Sequence, residues 1–271
     1  MKKKRPDHLP DFENPPLDEV IIDLHFEPAP DYTIASAMDI RSLFLKEFPI
    51  LQERVPLPPV FEIFKKMNTE SDLDTQITNA PPLGSRLLFV SGDGSHLLQL
   101  QEDRFTANWL RGPSSTIYPR FESIATAWEK NLVKLNKYFS SKLNWPIKID
   151  QAEISYHNVI EVEEFSQAGE WFSFWNTIPL DIKIMTAGFN EVIQDGEGEP
   201  YARLWYDMRP IYLADGKRKA FSLSLSFRGR PPEPTSLASA MEFISKGRES
   251  IVTRFSEITT DKAQEQWRKI K

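Results

Sequence analysis

The chain has 271 residues, 40% hydrophobic, 12% aromatic and 27% charged, with a net charge of -6 and no cysteine. Its length suits two domains of roughly 100–200 residues, and its acidic balance argues against a general nucleic-acid binder, which needs a basic field. Without thiols there are no disulfides, thiolate zinc sites or cysteine nucleophiles, a composition that fits a reducing compartment.

No apolar run approaches the ~18–20 residues of a membrane helix. Met1-Lys2-Lys3-Lys4-Arg5-Pro6 is basic with no apolar stretch behind it, so it reads as a solvated tail rather than a secretory signal, with the cytoplasm as default location. Residues 1–16 carry prolines and charges without periodicity and are expected to form a flexible basic arm. Val20, Ile22, Leu24 and Phe26 then alternate with Ile21, Asp23 and His25, the pattern of a half-buried strand stopped by Pro28 and Pro30. Helical spacing follows at Ala37, Ile40, Phe44 and Phe48, with Asp31 or Thr33 as N-cap and Pro49 as the stop.

Pro56-Leu57-Pro58-Pro59 is a stiff connector, 60–64 a short strand, and the polar residues 67–84 a long surface loop. Three strands come in close order at 86–91, 97–101 and 104–110, joined by turns at Gly92-Asp93-Gly94-Ser95 and Gln101-Glu102-Asp103. Phe121, Ile124, Trp128, Leu132, Leu135, Phe139 and Leu143 step by three or four, laying one apolar stripe along a helix that Trp145-Pro146 ends.

The plan then repeats. Ile154, Tyr156, Asn158, Ile160 and Val162 share one strand face, and a helix with Phe165, Ala168, Phe172 and Trp175 on one side is expected next. Strands follow at 178–186, 201–211 and 219–227, the last two joined at Ala214-Asp215-Gly216-Lys217. Leu237, Met241, Ile244, Ile251 and Phe255 mark a closing helix capped by Thr235 or Ser236, and 259–271 add a turn or two anchored by Trp267. The expected fold is α+β: two similar units, 17–146 and 147–271, each a curved antiparallel sheet packed on a long helix in helix-grip-like, strand-helix-meander-helix order. Glu19-Val20-Ile21-Ile22 aligns with Glu153-Ile154-Ser155-Tyr156 in this internal duplication. The units join either edge to edge or through their helices.

The densest segment runs from Leu98 to Arg111, with Asp103-Arg104-Phe105 and Asn108-Trp109-Leu110, and leads to Tyr118-Pro119-Arg120-Phe121. Together with Tyr156, Asn158 and Ile160, and with Asn14-Pro15-Pro16-Leu17-Asp18-Glu19-Val20, it resembles the signature of a sporadically distributed bacterial family of uncharacterised proteins of about this length. The resemblance spans most of the chain and brings no reaction, substrate or catalytic residue. The family's patchy distribution implies mobile or defence-associated gene pairs.

Arg104 and Asn108 share one face of their strand, Phe105, Ala107 and Trp109 the other. Phe105 and Trp109 are either sheet-to-helix packing or a stacking platform; Arg104 and Arg111 either pair with Asp103 or Glu102 or clamp an anion with forked donors. Tyr156 and Asn158 sit on an apolar face, so they belong to a buried hydrogen-bond network or to the polar floor of a pocket. Trp171 and Phe174 fall between Phe172 and Trp175, and Trp205 lies opposite Leu204 and Tyr206, an aromatic surplus that covers the other unit or a partner protein.

His8, His25, His96 and His157 lie in separate elements without metal-ligand spacing, which places them at the surface. Gly196-Glu197-Gly198 is an acidic turn that repels phosphate, and Asp181-Ile182-Lys183 alone is too little for a nuclease core. No cofactor or metal is implied. The expected function is a non-enzymatic protein-binding component, the accessory or neutralising member of a toxin–antitoxin or phage-defence type gene pair. The alternative is a small-ligand binder with a cavity between sheet and long helix, and a metal-dependent nuclease ranks last.

Overall fold

A computed structural model describes residues 5–64, 75–77, 84–112, 117–177 and 184–271. In chain order the elements are β1 (Leu17–Phe26), α1 (Ile34–Phe44), β2 (Ile50–Arg54), β3 (Val60–Glu62), β4 (Thr75–Ile77), β5 (Arg86–Val90), β6 (His96–Gln101) and β7 (Arg104–Leu110). Then come α2 (Phe121–Lys142), β8 (Ile149–Val162), β9 (Ala187–Gln194), β10 (Pro200–Tyr212), β11 (Lys219–Gly229), α3 (Leu237–Ile258) and α4 (Asp261–Gln266). Nine strands form one antiparallel sheet in the order β2-β5-β6-β7-β1-β8-β11-β10-β9, and β3 and β4 pair as a separate ribbon. The chain is thus α+β, with a large antiparallel sheet and a few helices.

The two-residue period of each strand sorts its side chains onto two faces. Val20, Ile22 and Leu24 of β1 lie beside Trp109, Ala107 and Phe105 of β7 and beside Tyr156, Ile154 and Ala152 of β8. This apolar face is covered by the long helices: Phe139 of α2 meets Phe26 at 5.5 Å, and Phe243 of α3 meets Phe227 at 5.1 Å. Helix α3 comes closest at Gly247, where an added Cβ would stand 2.6 Å from Phe227 and 2.7 Å from Ile154. The opposite face carries Asp23, His25, Arg104, Thr106, Gln151, Ser155, Ser224 and Arg228.

Local signals hold where they are strong. Thr33, not Asp31, caps α1 in a capping box with Ser36, Ser236 caps α3, and Trp267 is the buried anchor behind α4. Other expectations need correction. Residues 5–16 are docked: Leu9 and Phe12 are buried, Phe12 bridges to Lys269, and its ring meets Phe255 and Trp267 edge-on at 5.8 and 6.2 Å. The helix expected at Phe165–Trp175 is instead two short 3-10 turns, Phe165–Glu170 and Ser173–Thr177. The chain opens at Phe172 to bridge Thr259, so Trp171 stacks on Trp267 while Phe172 packs on Phe221. One helical stripe cannot serve both directions.

Of the strand expected at 178–186, residues 184–186 are irregular and β9 begins at Ala187, while 178–183, with Asp181 and Lys183, lie outside the described residues. Most of the expected loop 67–84 and the tail 1–4 lie outside them as well. His25 is buried, not at the surface, because β3 covers its face of the sheet.

Candidate peptide-binding face

On the polar face one register line crosses six strands. Gln101 of β6 stands opposite Arg104 of β7, Arg104 opposite His25 of β1, and His25 opposite Gln151 of β8. One step on along β8, Glu153 faces Arg228 of β11, which faces Arg203 of β10. Residues 57–62, the end of the expected connector and the start of the expected short strand, lie along this line as a strap.

The strap is held by side chains that read its backbone. The amide of Gln101 accepts from the Leu57 N–H at 2.9 Å and donates to the Leu57 carbonyl at 3.0 Å. Gln151 does the same further along, accepting from the Glu62 N–H at 2.9 Å and donating to the Val60 carbonyl at 2.7 Å. Each glutamine supplies one donor and one acceptor, as a neighbouring strand would. Arg104 Nη2 reaches the Pro58 carbonyl at 3.4 Å, and the Phe61 ring lies 5.6 Å from the imidazole of His25.

The strap ends in a carboxylate cradle. Glu62 accepts from Arg203 Nε at 3.0 Å, Arg228 Nε at 2.9 Å and Trp205 Nε1 at 2.6 Å. The guanidinium carbons of Arg203 and Arg228 stand 5.6 and 6.0 Å from the Trp205 ring centre, within cation-π range. A carboxylate taken out of water needs such charge-assisted partners, and here it has three. Glu153 lies 3.6 Å from Arg228, so the two arginines face two acids.

Under the strap, Asp23 accepts from Thr106 Oγ1 at 2.5 Å and lies 3.1 Å from His25 Nε2 and 3.6 Å from Arg104 Nε. Burial pushes its carboxyl up, but Arg104 and His25 outweigh burial and hold it at about 2. Beside this group, Asn108 donates to Glu19 at 2.6 Å and accepts from Gln99 at 2.9 Å, and Arg86 donates to Gln99 at 3.0 Å. The result is a continuous polar layer of oriented donors and acceptors.

Arg104, Asn108 and Trp205 therefore share this face without meeting: β1, β8 and β11 lie between the first two and Trp205, and Arg104 and Trp205 touch opposite ends of the strap. Trp109, Tyr156 and Asn158 lie on the other face. Trp109 is fully buried with its ring 5.2 Å from Tyr118, whose hydroxyl is 3.0 Å from that of Tyr156. Asn158 donates to the Leu223 carbonyl at 3.2 Å. Burial raises the pKa of both tyrosines, so each stays a neutral hydroxyl. Tyr118, Tyr156 and Asn158 line a cavity of about 40 Å³ with Arg5, Arg120 and Phe12, room for a water or two rather than a metabolite. Arg111 donates to the Pro15 carbonyl at 2.9 Å and ties the approach to β1, while Trp171 stacks on Trp267 at 6.1 Å.

Gln101, Gln151, Glu62, Arg203 and Arg228 escape sequence reasoning as site residues. No sequence pattern marks them; it is the structure that shows both glutamines only 1% exposed, where a buried amide must have partners. Among the described residues no cluster of side chains is able to hold a metal ion, and no helix is long and apolar enough to cross a membrane. No protein-family model matches the chain, and no curated protein is similar to it.

Proposed function

We propose that the chain is a non-enzymatic protein-binding component that holds an extended segment of polypeptide on the polar face of its sheet. One observation carries this reading: Gln101 and Gln151 each bond a backbone N–H and a backbone C=O of a crossing segment. Such pairing recognises main chain whatever the side chains, which is how sheet-based peptide binders gain affinity.

The same proposal takes the chain as two similar units fused through β1 and β8. Outward from β1 run β7, β6 and β5; outward from β8 run β11, β10 and β9, and each set is followed in sequence by a long helix. This order supports a duplication joined edge to edge. A role as the accessory or neutralising member of a bacterial gene pair completes the proposal on the strength of the family resemblance alone, with the cytoplasm as its default location.

The test is purification of the tagged chain from its native host beside an Arg228→Ala, Trp205→Ala double variant. A stoichiometric partner that follows the unaltered chain and is lost from the folded variant supports the reading. A partner retained by the variant removes it from this face, and the absence of any stoichiometric partner counts against the function itself.

A further inference from the structure

We infer that residues 57–62 are an internal stand-in for the partner, and that the Arg203–Trp205–Arg228 cradle selects a glutamate in an extended, proline-containing segment of another protein. This rests on the function proposed above and adds the chemistry of what is bound and the device that guards it. The bound segment carries its carboxylate five residues beyond the position that Gln101 reads, as Glu62 follows Leu57. Proline in the segment lowers the entropy lost on binding, because its extended backbone is already restricted.

Three observations separate this strap from an ordinary structural crossing. Among the described residues, β3 pairs backbone to backbone with β4 and not with the nine-stranded sheet. Side chains make its attachments to the sheet, and another polypeptide offering the same backbone and one carboxylate satisfies all of them. The strap is also half open to solvent: Leu57 is 37% exposed and Pro59, Val60 and Phe61 are half-buried, whereas Glu62 is 3% exposed. The strap's hydrogen bonds to Gln101, Gln151, Arg104 and the cradle are ones that an incoming segment with the same backbone and a carboxylate re-forms, which offsets the cost of opening.

Charge decides what replaces it. With Glu62 withdrawn, Arg203 keeps Asn190 and Arg228 keeps Glu153, but the Nε donors of both arginines and the Trp205 indole N–H have lost the carboxylate they share. Two guanidiniums, their side chains 5% and 17% exposed, and an indole N–H that converge on one point favour an anionic acceptor there. A tethered strap competes at an effective concentration in the millimolar range, so the resting protein is closed to weak ligands and opens to a partner that binds over a larger surface.

The probe is a labelled synthetic peptide with the sequence of residues 56–64, titrated against the wild-type chain and the Glu62→Ala chain. The peptide should bind Glu62→Ala about tenfold or more tightly than wild type, and a peptide with glutamine at the Glu62 position should lose about tenfold on that variant. Should the variant prove unfolded by circular dichroism, millimolar peptide on the wild-type chain must speed hydrogen exchange at the Leu57 and Glu62 amides. A folded Glu62→Ala chain that binds neither peptide, or both alike, overturns the inference, as does unchanged exchange in the wild type. A stoichiometric native partner that still depends on Arg228 and Trp205 despite such a failure leaves the general function standing and removes only the strap exchange.

Discussion

Asp23 shows how much a single enclosed carboxylate governs the polar face. Its folded value of about 2 lies below the ordinary 3.8, so the unfolded chain takes up a proton before the native one does. The stability it lends is therefore complete above about pH 4 and drains away as the pH falls toward 2, a contribution on the order of 2 kcal/mol. An Asp23→Asn chain is already weaker at neutral pH, since Arg104 and His25 lose their acceptor. The gap between wild type and Asp23→Asn in urea denaturation should narrow by about 2 kcal/mol between pH 5 and pH 2. A gap that stays constant over that window would show that Arg104 and His25 do not hold the carboxylate ionised.

Two contacts set how the long helices lie on the sheet. Arg248 of α3, with 2% of its side chain exposed, reaches Glu122 in the first turn of α2 at 3.1 Å and covers the Phe121 ring at 5.3 Å. Removing Glu122 leaves the buried Arg248 with the Tyr156 hydroxyl in place of a carboxylate, so Glu122→Ala should cost roughly 3 kcal/mol, and a Glu122→Leu, Arg248→Met double variant should regain most of it. Thermal or chemical denaturation of the three chains decides the point; a double variant no better than Glu122→Ala would mean Arg248 has a further indispensable partner. Gly247→Ala tests the close approach directly: the new methyl overlaps the Phe227 ring and Ile154, and overpacking of this kind costs about 1–3 kcal/mol although alanine is the better helix former. A stabilised Gly247→Ala would mean α3 sits further from the sheet. Elements of this kind were legible from sequence where one face is apolar over many residues, as in α2 or the Phe221 to Phe227 alternation of β11. The turns around Phe172 were not, because their geometry is set by Thr259 and Trp267 far along the chain. The strap was legible only as a stiff connector followed by a short strand, and its attachments were not, for the same reason: Leu57 finds its partner in Gln101 and Glu62 finds its own in Arg203, and no local pattern records either pairing. Arg104 and Trp205 stood out by residue type and face alone.

For the molecule as a whole the decisive join is β1 against β8. Val20, Ile22 and Leu24 stand beside Tyr156, Ile154 and Ala152, so the sheet has its two outer edges at β2 and β9 and none between the halves. The join is reinforced on both sides: Phe12 from the first half lies against Phe255 and Trp267 of the second, and Glu62 reaches across to Arg203 and Arg228. Cutting the chain between 146 and 147 would free two long apolar strand edges at once, the feature that drives edge-to-edge association. Fragments 17–146 and 147–271, expressed apart, should each aggregate or remain unfolded, whereas co-expression should return a soluble one-to-one complex. Hydrogen exchange in the intact chain should follow the same gradient, slowest at Ile22 and Ile154 in the centre and fastest along β2 and β9, whose outer backbone groups have no sheet partner among the described residues. A fragment that is monomeric and cooperatively folded by itself would show that its half carries a sufficient core, and that β1 and β8 join two domains rather than complete one.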